Sequence, residues 1–221
     1  MADNNLQVKD VNLPFSLPEI SVEEKEQLEG IKLEYPQLKI PSAGSLFFEV
    51  DEQPVKELIG VIVYHGPRHM YYATAFDGSN TPPDCYSNDG ITGFQKNDVG
   101  EIIEKHCAEC PFSAFGSDPN GNGGKACKEK HQLYIACSDR LVPFSLLLPV
   151  SSAGALNTYA TTLFSQGKFL NSVLTSFSLE KATNKTGIAY SKMVFKKLRD
   201  LSPEEKELVK KLADTVKANV G

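Results

Sequence analysis

Between Lys105 and His131 the sequence reads KHCAECPFSAFGSDPNGNGGKACKEKH. Cys107 and Cys110 form a Cys-x-x-Cys pair, which puts two thiolates on one side of a tight turn and supplies half of a tetrahedral metal site. Cys127 follows the glycines at 121, 123 and 124, and Cys85 follows Pro-Pro-Asp upstream. Cys85, Cys107, Cys110 and Cys127 are therefore the expected ligand set. Four thiolates leave no open coordination position, so a structural zinc is the first expectation and a four-iron cluster the alternative. His106 and His131 stand in reserve for the fourth position. Cys137 shares a face of QLYIACS with Leu133 and Ile135 and reads as a small buried hydrophobe. Redox catalysis on the Cys-x-x-Cys pair would need a thioredoxin-like βαβ setting, which the glycine-rich flank does not supply.

Other chemistry is thin. The chain has no P-loop, no Gly-x-Ser-x-Gly elbow and no His-Glu-x-x-His helix, so it is not expected to be an enzyme. Asp77, Asp84, Asp89 and Asp98 could hold magnesium in a metal-dependent nuclease. They sit in turns, however, where aspartate is favoured anyway.

Something must position the cysteines. Hydrophobic residues make up 41% and charged residues 23%, so a packed core is expected. The stretch MADNNLQVKDVNLPF carries no apolar signal region, and no run of apolar residues is long enough to span a bilayer. The expectation is a cytoplasmic protein with reduced thiols, without membrane partners. Residues 1–30 read as an N-terminal arm followed by a short helix from Val22 to Glu29, capped by Ser21 with Glu24 and ended by Gly30.

Residues 31–198 read as the core. Ile31, Leu33 and Tyr35 alternate with polar neighbours, and SLFFEV, ELIGVIVYH, QLYIACS and LVPFSLLLPV follow as strand candidates. DGSNTPPDCYSNDGITG reads as a long loop, so residues 77–131 form a metal-binding insertion. SSAGALNTYATTLFSQGK reads as a helix capped by Ser151 or Ser152, with Leu156, Tyr159, Leu163 and Phe164 on its apolar face and Gly167 at its end. FLNSVLTSFSLEKA and GIAYSKMVFKKL form a hairpin. Residues 199–221 give an amphipathic C-terminal helix with Ser202 as N-cap, Pro203 first, Glu205 third, and a stripe of Leu208, Val209, Leu212 and Val216. Strands, one helix and a last hairpin give a mainly β fold with a few helices: an OB-fold-like Greek-key barrel carrying an inserted metal-binding loop.

The run PPDCYSNDGITG, then CAEC, then FGSDPNGNGGKACK before a strand, and finally FSLEKATNKTGIAYSKMVF, resembles a family of small single-stranded DNA-binding proteins encoded by bacteriophages and mobile elements. The likeness covers residues 40–198. A metal knuckle inserted in an oligonucleotide-binding barrel, together with acidic net charge, is also similar to the single-strand binders of the T-even phages. The resemblance implies a role in phage or mobile-element DNA replication or recombination inside a bacterial host. The net charge of −5 does not oppose this, because net charge averages over the surface, and SVEEKEQLEG, with four glutamates against one lysine, holds much of the excess, while LSPEEKELVKK balances three glutamates with three lysines.

Sequence-tolerant single-strand binding combines a basic groove with aromatic platforms. GPRHMYYATAF offers Arg68, His69, Tyr71, Tyr72 and Phe76. The last hairpin offers Tyr190, Lys192, Lys196 and Lys197, and Lys125, Lys128 and Lys130 flank the last cysteine. An adaptor docking on a polymerase or host factor is the competing expectation, with the C-terminal helix holding replication or recombination proteins.

Overall fold

The computed structural model describes residues 15–16, 26–27, 34–41, 44–74, 81–97, 99–119, 123–184 and 187–220. The helix expected over Val22 to Glu29 falls outside them apart from Glu26 and Gln27. In chain order the strands are β1 (Phe48–Val50), β2 (Gln53–Val55), β3 (Glu57–Tyr71), β4 (Cys85–Ser87), β5 (Thr92–Lys96), β6 (Ile102–His106), β7 (Lys128–Ala136) and β8 (Phe144–Leu148). Helix α1 (Val150–Ser165), strands β9 (Val173–Thr183) and β10 (Ala189–Asp200), and helix α2 (Pro203–Val220) complete the order. The protein is mainly β and every strand pairing is antiparallel, a parallel bridge between Gln37 and Ser145 aside.

Strand β3 organises the molecule. Its run ELIGVIVYHGPRHMY is apolar and β-branched where it is central, as a strand covered on both faces must be. One edge pairs with β7 from Val61 to Met70, and β7 pairs with β8. The other edge is split: Glu57 to Gly60 pair with β9, whereas His69 to Tyr71 pair with β4, which leads to β5 and β6. At Gly60, where β3 passes from one partner to the next, a Cβ would run into the Ala136 carbonyl. Only glycine allows that approach.

The strands do not close into a barrel, which corrects the expectation. Because one edge of β3 is shared between two separate arms, the sheet forks instead of rolling round onto itself. Two further differences are local. Cys85–Ser87, inside the stretch read as pure loop, forms β4, because Pro82, Pro83 and the glycines lie outside those three paired residues. Of the strand expected from Ile31 to Tyr35, residues 31–33 lie outside the described residues, and after Tyr35 the described chain makes isolated bridges at Gln37 and Lys39.

Each face of the sheet has its own core. On one, Ile62, Leu133, Ile135, Phe144, Leu146, Phe177 and Met193 pack with Leu156 of α1 and with Phe48 and Val50 of the β1–β2 hairpin. On the other, Val61, Val63, Tyr134, Ala136 and Leu174 pack beneath Val209 and Val216 of α2. A bulge between Ile62 and Tyr64 shifts the β3 register by one residue, so Val61, Val63 and Tyr64 all face α2. That single inserted residue decides which way the rest of β3 points.

Helix α1 buries Ser152, Leu156, Tyr159 and Leu163. Phe164 is 68% exposed, since the face is narrower than its spacing suggested. Ser152 does not cap the helix; its Oγ accepts the Met193 N–H at 3.0 Å and ties α1 to β10. The C-terminal helix starts as expected: the Ser202 N–H donates to Glu205 Oε2 at 2.8 Å and the Glu205 N–H to Ser202 Oγ at 3.3 Å.

Glu205 does more than cap. Its oxygens also accept two bonds from the Arg199 guanidinium, at 2.7 Å each, and one from the Phe15 N–H at 2.8 Å. The Arg199 bonds chiefly, with the Ser202 and Phe15 N–H groups, pull the Glu205 carboxyl down to about 2 against burial. A carboxyl depressed in the folded state stabilises fully above its ordinary value near 4.5, and the contribution fades as pH falls towards 2. Glu205→Gln should therefore cost about 1–3 kcal/mol near neutrality. Thermal melting of wild type and variant between pH 7 and pH 2 checks this: the two curves should converge at low pH, and a constant gap would refute the assignment.

Candidate metal centre and nucleic-acid face

The four cysteines come to one place. Cys85 opens β4, opposite Tyr71 on β3 and Gln95 on β5. Cys107 and Cys110 follow β6 through two short 3₁₀ turns, Cys107–Glu109 and Pro111–Ser113, held by Cys110 N–H to Cys107 O at 3.3 Å and Ser113 N–H to Cys110 O at 3.0 Å. The Cys107 N–H donates to Ile91 O at 2.8 Å and the Cys127 N–H to Phe112 O at 2.9 Å, so backbone bonds close both loops onto the knuckle. All four side chains line a cavity of about 390 Å³. Gly93 forms part of its wall: a Cβ there would sit 3.3 Å from Cys85 Sγ and 3.6 Å from Cys107 Sγ. Tyr71 stacks on Phe112 at 4.0 Å and 12°, bracing the knuckle against β3.

These donors suit a soft tetrahedral ion. Among the described residues, however, no group of three or more cysteine, histidine, aspartate or glutamate side chains is placed so that it could hold a metal ion as it stands. The thiols converge and still repel one another as thiolates: burial first, then Cys110, Cys107 and Cys85, push Cys127 up to about 11, and burial, Cys110 and Cys107 push Cys85 up. A cation would reverse that repulsion. The arm that carries them has little core of its own: β6 is exposed along its length, and β4 and β5 bury only Ser87 and Gly93. Cys137 lies in the main core, 3% exposed, with burial raising its thiol to about 12. His131 sits on β7 opposite Pro67, and its Nδ1, like that of His69, is buried with no hydrogen-bond partner among the described residues.

Register sorts the expected nucleic-acid residues. On β3 beyond the bulge, His69 and Tyr71 lie opposite Ser87 and Cys85 and face the cysteine cavity. Tyr71, expected as a base platform, thus shares the side of the cysteines and stacks on Phe112. Arg68 points to the other face with Lys130 opposite it, and Met70 is flanked by Tyr86 and Lys128. Tyr86 in turn pairs with Phe94, and Phe94 with Glu104. Arg68 lies 5.6 Å above the Tyr86 ring, Tyr86 and Phe94 are 5.6 Å apart, and Tyr64 and Tyr134 are 6.0 Å apart. Tyr64, Arg68, Phe94 and Tyr134 line a groove of about 510 Å³ that ends at Val220 of α2.

The remaining cations divide. Lys128 pairs with Asp118 at 2.8 Å, and Lys125 pairs with Glu129 at 2.6 Å while lying over the Phe115 ring. Burial lowers the Lys130 pKa, and none of the ion pairs between described residues engages it. Tyr72 is exposed at the end of β3, and Phe76 lies outside the described residues. Tyr190, Lys192, Lys196 and Lys197 are on β10, which reaches β3 only through β9 at Glu57 to Gly60. At about 3.3 Å per residue, Gly60 is roughly 26 Å along the strand from Arg68. The hairpin lysines and the Arg68 face are thus two places, not one groove. Lys192 is paired with Glu180 and Lys197 with Asp200.

Sequence reading missed Tyr64, Tyr86, Phe94 and Tyr134. Alternation in QLYIACS already separated Tyr134 from Leu133 and Ile135. Tyr86 gave no such signal, since it lies in a stretch of turn formers. Asp84 accepts the Ala73 N–H at 2.7 Å, and Asp89 accepts the Ile91 and Thr92 N–H groups at 2.7 and 2.8 Å, so both carboxylates hold turns. Asp77 and Asp98 fall outside the described residues.

No family model, curated protein or solved structure matches the chain. Among the described residues no helix is long and apolar enough to cross a membrane.

Proposed function

We propose that the protein binds single-stranded DNA without strong sequence preference, in the cytosol of a bacterial host and in the service of phage or mobile-element replication or recombination. The observation that carries this reading is that Arg68, Lys130, Tyr64, Tyr86 and Phe94 share one face of four strands, with the buried Tyr134 ring packed beside Tyr64. Bases stack on such rings for about 1–3 kcal/mol each, whatever their identity. Cys85, Cys107, Cys110 and Cys127 would hold a zinc ion, or a four-iron cluster in the alternative, and the metal would fix the β4–β6 arm that supplies two of the rings. It takes no part in chemistry; the chain is read as a binding protein and not an enzyme.

An order of strands, one helix and a further hairpin, the order expected of an oligonucleotide-binding plan, supports the reading. Charge contributes little: Arg68 shares the groove with Glu104 and Asp89, and Lys130 lies beside Arg68 on the neighbouring strand. Stacking must dominate, so with about two phosphates neutralised the log–log salt slope should be shallow, roughly −1.4. The test is whether the full chain prefers a single strand to the matching duplex. The adaptor reading is less well supported, because the apolar stripe of α2 is already spent on the body: Val209 and Val216 are buried and Leu208 and Leu212 pack beside them.

A further inference from the structure

Among the described residues strand β10 pairs only with β9, so its other side is a sheet edge among them. The Met193 N–H points outward to Ser152 Oγ, and alternation therefore turns Phe195 and Lys197 outward as well. The backbone N–H and C=O groups of Phe195 and Lys197 find no partner among the described residues. Past Ser152, α1 draws away from this edge and leaves a groove of about 820 Å³, with residues 192–197 on one side and Ser151, Gly154, Ala155, Thr158 and Thr162 on the other. Small side chains on the helix make the space, and the stacked rings of Tyr159 and Phe195, 5.6 Å apart, form its floor.

We propose that this groove accepts an extended acidic peptide of a partner protein, which adds to the sheet as a strand beside β10. Its backbone would bond the free groups of Phe195 and Lys197. Its side chains would alternate: one set apolar, against Ala155, Thr158 and Phe195, and the other acidic, towards Lys192 and Lys196. Charge complementarity selects this occupant. Lys192, Lys196, Lys197 and nearby Lys168 outnumber Glu180 and Asp200 around the groove. A second copy of the chain is disfavoured, because antiparallel pairing of β10 with itself would set lysine against lysine. The site is independent of the Arg68 face.

The experiment titrates the full chain with a labelled peptide of alternating valine and glutamate, and with a valine–lysine peptide as control. Gly154→Leu is the informative variant: a Cβ at this exposed helical position meets nothing within 4 Å, so the larger side chain fills the groove without disturbing the core. The acidic peptide should bind, the basic one should not, and Gly154→Leu should weaken binding about tenfold or more while the melting temperature and single-strand affinity hold. Hydrogen exchange at the Phe195 and Lys197 amides should slow on adding the acidic peptide. Absence of acidic-peptide binding, or binding indifferent to Gly154→Leu, overturns the proposal. Slowing of those two amides by an oligonucleotide instead of the peptide would assign the groove to nucleic acid and overturn it equally.

Discussion

Replacing Cys107 and Cys110 together with serine is expected to remove the proposed metal ion and to loosen residues 85–131, while the two cores of the sheet stay folded. The cores draw nothing from this arm: every residue of the clusters on either face lies outside the stretch 72–127. What holds the arm is local, namely a three-residue β4, a fully exposed β6, two 3₁₀ turns, and the Tyr71–Phe112 stack. Structural zinc contributes about 10–16 kcal/mol in small domains at neutral pH, far more than those contacts could. Metal analysis should fall from one zinc per chain to none. Hydrogen exchange should accelerate through β4, β5 and β6 and not in α1 or α2. A brown chromophore in the wild type would select the iron cluster over zinc without changing the role of the ligands. Metal-free wild type with a protected β4–β6 arm would refute the metal.

The second large effect concerns the opposite face of the same arm. Tyr86→Ala with Phe94→Ala should reduce single-strand affinity by about 10²-fold or more, since two stacked bases lose about 1–3 kcal/mol each. Arg68→Glu should add a loss and flatten the salt dependence further. Tyr71→Ala is the sensitive comparison, one strand position from Met70 and facing the other way. Its ring stacks on Phe112 beside the thiols, so it should weaken metal retention more than nucleic-acid affinity. Equal losses for Tyr71 and Tyr86 would mean that the face assignment is wrong. Both effects share one cause: the arm holds thiols on one side and rings on the other, so losing the metal should also weaken the strand it presents.

Much of this was legible in the sequence, and particular residues show why the rest was not. The last hairpin and the cap of α2 are written in local signals, alternation over eleven residues and a Ser-Pro-x-Glu start, and both formed as read. Convergence of the four cysteines followed from chemistry more than from periodicity. The contents of a groove depend instead on which face a side chain takes, and on β3 that was set by one extra residue between Ile62 and Tyr64. Before the bulge is known, Tyr71 and Arg68 are equally plausible contacts. The forked sheet was also hidden, because β4 is only three residues long and its pairing energy lies in long-range register. Finally, Glu205 gave its capping role away by spacing, but its bonds to Arg199 and Phe15 are tertiary and left no local mark.

The most direct test of the central claim is an anisotropy titration of the full, metal-loaded chain with a single strand of about thirty nucleotides and with the matching duplex, each at low and moderate salt. The expected result is tight binding to the single strand, much weaker binding to the duplex, and a shallow salt slope. Equal affinity for both forms with a steep slope would describe phosphate binding without stacking, and absence of binding at low salt would remove nucleic acid altogether; either would contradict the account.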